Sequence, residues 1–97
     1  MIYNFVGSNS DIGESIRLTR FGQAVELSDE LAREALLGGC ALVAAADFQE
    51  IGFTPKELET FSSPGSHERA PVEFIEKKRQ ALIAVHNLRA RFEGAQL

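Results

Sequence analysis

The chain has 97 residues, of which 44% are hydrophobic and 25% are charged, with a formal net charge of −4. This length favours a single domain, and these fractions are ordinary for a folded globular protein. Cys40 is the only cysteine, which excludes an intramolecular disulfide and a zinc site built from several cysteines. The first residues lack the pattern of a signal peptide, and no run approaches the ~20 apolar residues of a membrane span. We therefore expect a protein of the reducing cytoplasm.

Charge is unevenly distributed along the chain. Residues 1–61 contain four Lys or Arg against ten Asp or Glu, whereas residues 62–97 contain six against four. The first part thus carries a formal charge of −6 and the second +2. The acidic part disfavours the wrapping of duplex DNA, which needs clustered basic charge. The opposite charges of the two parts suit association of one copy with the next.

Several short segments have the apolar patterns of strands. Residues 15–21 and 24–27 alternate apolar and polar side chains, as a half-buried strand does. The run CALVAAA follows two glycines and is apolar throughout, which is typical of a buried strand. We predict an α+β fold whose small, mostly antiparallel sheet has strands near 2–6, 15–21, 24–27 and 40–46.

A packed helix is predicted over residues 28–37. Ser28 is a preferred N-cap residue, and the acidic Asp29 and Glu30 suit the positive end of the helix dipole. Two glycines just after the helix supply a residue that can adopt positive φ there. The apolar face of this helix is predicted to contain Leu31, Ala32, Ala35 and Leu36.

A second, short helix is predicted to begin after Thr54. Thr54 and Glu57 have the spacing of a capping box, and Pro55 takes the first helical position. The large apolar residues that precede it have no clear period, and we interpret them as a connection packed onto the core. These residues are Phe48, Ile51 and Phe53.

A long C-terminal helix is predicted over residues 72–92. Its length of about 30 Å exceeds what a domain of this size needs for itself. The composition of residues 62–70, rich in Ser, Gly and Pro, indicates an exposed linker before this helix. The predicted organisation is an α+β domain at 1–61, a linker at 62–70 and a long helix with a tail at 71–97.

The apolar stripe of the long helix is predicted to be a protein–protein interface. An exposed apolar patch of this kind usually marks a partner surface, and the linker would let the helix swing out to meet it. We expect self-association into a homo-oligomer or docking onto a larger protein assembly. The predicted interface residues are Phe74, Ile75, Leu82, Val85, Leu88 and Phe92.

Basic residues on the same helix suggest nucleic-acid binding as the alternative. The opposing interpretation is a solvated face, because Glu73 precedes Lys77 by the four residues that favour an intrahelical pair. No aromatic residues interleave on that face and no recognisable DNA-binding motif is present, so we expect nucleic acid not to be the partner. The alternative would use Lys77, Lys78, Arg79, Arg89 and Arg91.

The chain offers few residues for catalysis or metal binding. Cys40, His67 and His86 do not fall into the spacing of a nucleophile, a base and an orienting group. Cys40 also lies in an apolar run, where a buried and inert thiol is the default. We expect no enzymatic activity, no cofactor and no metal.

The segment Val25–Val43 has the pattern V-x-L-S-D-E-L-A-x-x-A-L-L-G-G-x-A-L-V, where x is any residue. This segment resembles small proteins from bacteriophage and prophage structural gene clusters, which have a strand, a capped helix, a glycine stop and a second strand. The resemblance implies a structural or assembly subunit of a virion, for example a head–tail component. It implies no catalytic residue.

Overall fold

The computed structural model describes residues 1–6, 21–61 and 69–94. It confirms the α+β class, with a small antiparallel sheet and a long C-terminal helix. The elements of the described residues, in chain order, are β1 (Ile2–Phe5), β2 (Ala24–Glu26), α1 (Asp29–Leu37), β3 (Leu42–Ala44), α2 (Ala45–Ile51), α3 (Pro55–Thr60) and α4 (Val72–Gly94).

Strand β1 lies in the centre of the sheet formed by the described residues, in the order β2-β1-β3, and both pairings are antiparallel. Tyr3 is the partner of Val25 on one side and of Ala44 on the other. The Asn4 side chain is also buried, and its amide nitrogen donates a hydrogen bond to the Gly22 carbonyl oxygen at 3.1 Å. The strand predicted at 15–21 lies outside the described residues except for Phe21, which is buried at a turn.

Helix α1 begins and ends where the sequence predicts. The Ser28 hydroxyl accepts a hydrogen bond from the Leu31 backbone N–H at 3.2 Å, which confirms the N-cap. Ala32, Ala35 and Leu36 are buried, as predicted, whereas Leu31 is 53% exposed. Leu31 therefore does not belong to the core face.

The apolar run at 40–46 is only partly a strand. Strand β3 ends at Ala44, and Ala45 begins helix α2, which the sequence analysis did not predict. The reason is the high helix propensity of alanine, which allows a helix to start within an apolar run. The prediction that the following apolar residues pack onto the core is confirmed, because Phe53 is buried and Phe48 and Ile51 pack against the core.

Helix α3 has the predicted capping box. The Thr54 backbone N–H donates to Glu57 Oε1 at 2.9 Å, and the Glu57 backbone N–H donates to Thr54 Oγ1 at 3.1 Å. Just before β2, Gly22 has a φ of +84°, and a Cβ atom there would lie 2.5 Å from Leu58 Cδ2. Glycine at this turn therefore allows α3 to pack close to the sheet.

Helix α4 folds back onto the rest of the molecule. It contacts β3, α1 and α2 along its length, which is about 34 Å for 23 residues, against a longest molecular extent of 40 Å. Phe74 anchors its first part, with its ring centroid 4.2 Å from that of Phe61 and 5.6 Å from those of Phe21 and Phe53. The helix thus shares the core of residues 1–61. The predicted organisation, in contrast, has the helix separate from that domain. Residues 62–68 of the predicted linker lie outside the described residues.

Candidate association surface on the long helix

Four of the six predicted interface residues face the protein's own core. Phe74 is completely buried, Val85 and Leu88 are nearly so, and Phe92 packs against the same core. The prediction that they face a partner is therefore wrong for this conformation. Residues 74, 81, 85, 88 and 92 fall on one side of a helix that turns about 100° per residue, and this side meets the core. Ile75 and Leu82 lie outside this arc.

The opposite side of α4 exposes four large apolar side chains. Val72 is 78% exposed, Ile75 44%, Leu82 47% and Ile83 55%. Val72 and Ile83 are not among the predicted interface residues, because that prediction followed the single stripe that begins at Phe74. The sequence does contain a pattern for this second face. Residues 72, 75, 79, 82 and 86 follow one another at steps of three or four, and residue 83 lies four positions after residue 79.

A pair of opposite charges lies between these apolar residues. Arg79 Nη1 is 3.9 Å from Glu76 Oε2, and both side chains are more than half exposed. A solvated pair of this kind contributes little to the stability of the folded chain. We call the surface formed by these apolar and charged residues the outward stripe; it consists of Val72, Ile75, Glu76, Arg79, Leu82 and Ile83.

Two of the five basic residues of the nucleic-acid alternative bind within the protein. Lys77 Nζ lies 2.6 Å from Glu57 Oε1 and joins α4 to α3. Arg89 Nε donates to the Leu36 carbonyl oxygen at 2.8 Å, and its Nη2 donates to the Cys40 carbonyl oxygen at 3.4 Å. A cation at these carbonyls suits the negative end of α1. Lys77 and Arg89 are thus used to hold the fold together.

The remaining basic residues do not share a face. Because the helix turns about 100° per residue, Lys78 and Arg79 point in clearly different directions. Arg91 lies on yet another side of α4, where it lines a groove together with Asp47 and Glu50 of α2. The structure therefore does not gather the basic residues named by the nucleic-acid alternative into one cationic surface.

The groove between α2 and α4 has a volume of about 280 Å³. Its lining supplies two carboxylates, two amides, one guanidinium and three apolar side chains. The carboxylates beside Arg91 disfavour a phosphate at this position. The lining residues are Asp47, Glu50, Ile51, Gln80, Ala84, Asn87, Leu88 and Arg91.

Tyr3 is a buried titratable residue near the same end of α4. Burial raises the pKa of its hydroxyl, and Asp29 raises this pKa further through its charge and a hydrogen bond, whereas Arg91 acts in the opposite direction. Tyr3 is consequently protonated at neutral pH. Arg91 thus acts on the tyrosine of β1, and it shares the lining of the groove with the acidic residues of α2.

Glu57 connects helix capping to the attachment of α4. Burial is the largest single influence and opposes ionisation of Glu57, but hydrogen bonds from Lys77 and Thr54 together outweigh it and lower the pKa of this carboxyl below 4.5. A carboxylate whose pKa is lowered in the folded state stabilises the fold at pH values above its pKa in the unfolded chain. This stabilisation is lost as the pH falls through the folded pKa.

We expect Glu57→Gln to lower the free energy of unfolding by about 1–2 kcal/mol at neutral pH, because it removes an ion pair and weakens the capping box. The difference in the free energy of unfolding between this variant and the unchanged protein should shrink as the pH falls below 4.5, the usual pKa of this carboxyl. Urea unfolding over a series of pH values measures both effects. Glu34→Gln, at an exposed site on α1, is the control and should change stability little. A pH-independent difference for Glu57→Gln would contradict the lowered pKa.

The described residues contain no group of three or more His, Cys, Asp or Glu side chains able to hold a metal ion. Cys40 is buried, and His86 is exposed on α4, whereas His67 lies outside the described residues. None of the helices in residues 1–6, 21–61 and 69–94 is long and apolar enough to cross a membrane. No protein-family model, curated protein or solved structure matches the chain.

Proposed function

We propose that this protein is a structural subunit that acts by protein–protein association through the outward stripe of α4. The observation that carries the proposal is the exposure of Val72, Ile75, Leu82 and Ile83 on the side of α4 that faces away from the core. Large apolar residues gathered on one helix face are typical of a surface that a partner covers. The partner we propose is a second copy of the same chain.

We extend this proposal to a role in a bacteriophage particle. This part is supported by the resemblance of residues 25–43 to small proteins of phage structural gene clusters. In the fold, this segment comprises most of β2, all of α1 and most of β3, which is the strand–helix–strand unit on which the resemblance rests. Detection of the protein by mass spectrometry in purified phage particles would support the role, and its consistent absence from them would contradict it.

Leu82→Glu should abolish or strongly weaken self-association without unfolding the protein. Leu82 is near the middle of the outward stripe, and a carboxylate there would have to be desolvated in the interface. We expect a loss of about 2 kcal/mol, equivalent to a roughly thirtyfold higher Kd. Sedimentation of the full chain over a range of concentrations measures the association.

The matched control is Leu31→Glu, because Leu31 is 53% exposed and Leu82 is 47% exposed, but Leu31 lies on α1, outside the stripe. The control should sediment as the unchanged protein does. Sedimentation of the unchanged chain as a monomer at high concentration would overturn the proposal. Removal of α4 is not a usable test, because Phe74, Ala81, Val85 and Leu88 belong to the core.

A further inference from the structure

We infer that two copies of the chain pack their α4 helices against each other in an antiparallel arrangement, about a two-fold axis that passes near residues 78 and 79. This inference rests on the proposed self-association and adds the geometry of the contact. A two-fold contact uses the same surface on both copies, so that residue i of one copy meets residue j of the other and the reverse. The outward stripe must therefore be complementary to itself when one copy is turned around.

The apolar residues of the stripe meet this condition. Ile75 and Leu82 lie at about equal distances, roughly 5 Å along the helix axis, on either side of the point between residues 78 and 79. In the antiparallel arrangement Ile75 of one copy therefore lies opposite Leu82 of the other. Val72 and Ile83 extend the contact, so each end of the interface contains one cluster of Val72 and Ile75 from one copy with Leu82 and Ile83 from the other. All four exposed large apolar residues of α4 are covered in this way.

The charges of the stripe favour the same direction. Glu76 and Arg79 lie near the axis, and the antiparallel arrangement brings Arg79 of one copy to within about 3 Å, along the axis, of the level of Glu76 of the other. Two pairs of opposite charge thus form between the copies, and the helix dipoles also run in opposite directions. The two Arg79 residues also lie about 1.5 Å apart along the axis in this arrangement, so its advantage comes from the two Glu76 residues, which are about 7.5 Å apart. In a parallel arrangement both Glu76 and Arg79 would lie opposite their own copies, and like charges repel.

The contact leaves the folded chain unchanged. The core side of α4 keeps Phe74 and Leu88 buried, and Lys77 and Arg89 keep their bonds to α3 and α1. The outward stripe requires no opening of the domain, and Glu76 and Arg79 need only exchange partners within reach of their present positions. The interface closes on itself, so the expected unit is a dimer.

Cysteine cross-linking of the full chain tests this geometry. Ile75→Cys and Leu82→Cys are made as separate variants and oxidised, each alone and as an equimolar mixture. The native Cys40 is completely buried, so the introduced thiol is the accessible one. Two copies of Ile75 are about 10 Å apart along the axis in an antiparallel pair, which is beyond the reach of a disulfide. We expect a cross-linked dimer from the mixture and little from either variant alone.

The outcomes separate this inference from the proposed function. Equal cross-linking of each variant with itself would overturn the antiparallel arrangement, as would a dimer in sedimentation whose mixed variants do not cross-link; in both cases the self-association would stand. A monomer in sedimentation would overturn both. Leu31→Cys, exposed on α1, measures the cross-linking that random collisions produce.

Charge reversal gives a second and independent readout. Glu76→Arg places four positive side chains around the axis and should weaken the dimer severalfold, and Glu76→Arg combined with Arg79→Glu should restore it by exchanging the partners. Both residues are exposed, so neither change disturbs the core. Failure of the double variant to recover association would contradict the proposed pairing of Glu76 with Arg79.

Discussion

Replacing Phe74 with alanine should lower the free energy of unfolding by about 3–5 kcal/mol. Phe74 is completely buried, and its ring contacts those of Phe21, Phe53 and Phe61. The substitution removes the apolar burial of the ring, leaves a cavity in a cluster of aromatic rings and loosens the attachment of α4. The total stability expected for a chain of this length is about 5–15 kcal/mol, so the loss is a large fraction of it. Urea unfolding followed by circular dichroism measures the change.

The neighbouring residue provides the control for Phe74. Ile75 is 44% exposed on the outward stripe, and Ile75→Ala should change the stability of the monomer by less than about 0.5 kcal/mol. Unfolding must be measured at a concentration at which the chain is monomeric, because association would add to the apparent stability. A loss for Phe74→Ala as small as that for Ile75→Ala would mean that α4 does not pack as the structure shows.

Leu36→Ala should cost about 2–5 kcal/mol of stability. Leu36 is completely buried on the core face of α1, and its carbonyl oxygen accepts the hydrogen bond from Arg89 of α4. Loss of the side chain leaves a cavity at the point where α1 and α4 meet. Thermal or urea unfolding measures the effect.

Leu37 is the matched control for Leu36, because it follows directly in the same helix and is 43% exposed. Leu37→Ala should change the stability little, since the side chain it removes lies largely in water. If Leu36→Ala also cost less than about 0.5 kcal/mol, the core face of α1 would have to be placed elsewhere. The pair of variants thus tests the orientation of the helix independently of its existence.

Substitutions on the two faces of α4 should have different effects. Changes at Phe74 or Leu88 on the core side should act on folding, whereas changes at Leu82 or Ile83 on the outward stripe should act on association. Measurements of stability and of association would therefore separate the packing of α4 in the core from the association that we propose for it. A single apolar stripe along the sequence would have assigned both effects to the same residues.

The elements that depend on neighbouring residues could be predicted from the amino-acid sequence. The N-cap at Ser28 and the capping box of Thr54 and Glu57 are formed by residues three positions apart, so their spacing alone predicts the bonds that the structure shows. The long helix is likewise predicted within a few residues of its observed bounds, because its period runs through more than twenty positions. The start of α2 was missed because an alanine-rich apolar run is compatible with both strand and helix.

The folded structure was needed to identify the side of α4 that is covered and the partners of its basic residues. Both sides of this helix carry large apolar residues at helical spacing, and the side that becomes core is set by contacts with β3, α1 and α2. Lys77 binds a residue 20 positions away, and Arg89 binds a carbonyl 53 positions away. Helical patterns relate residues that are three or four positions apart, so partners that folding brings together from much greater separations leave no periodic signal. For this reason the sequence predicted a partner-binding helix, but the residues available for the partner could be identified only once the core side of α4 was known.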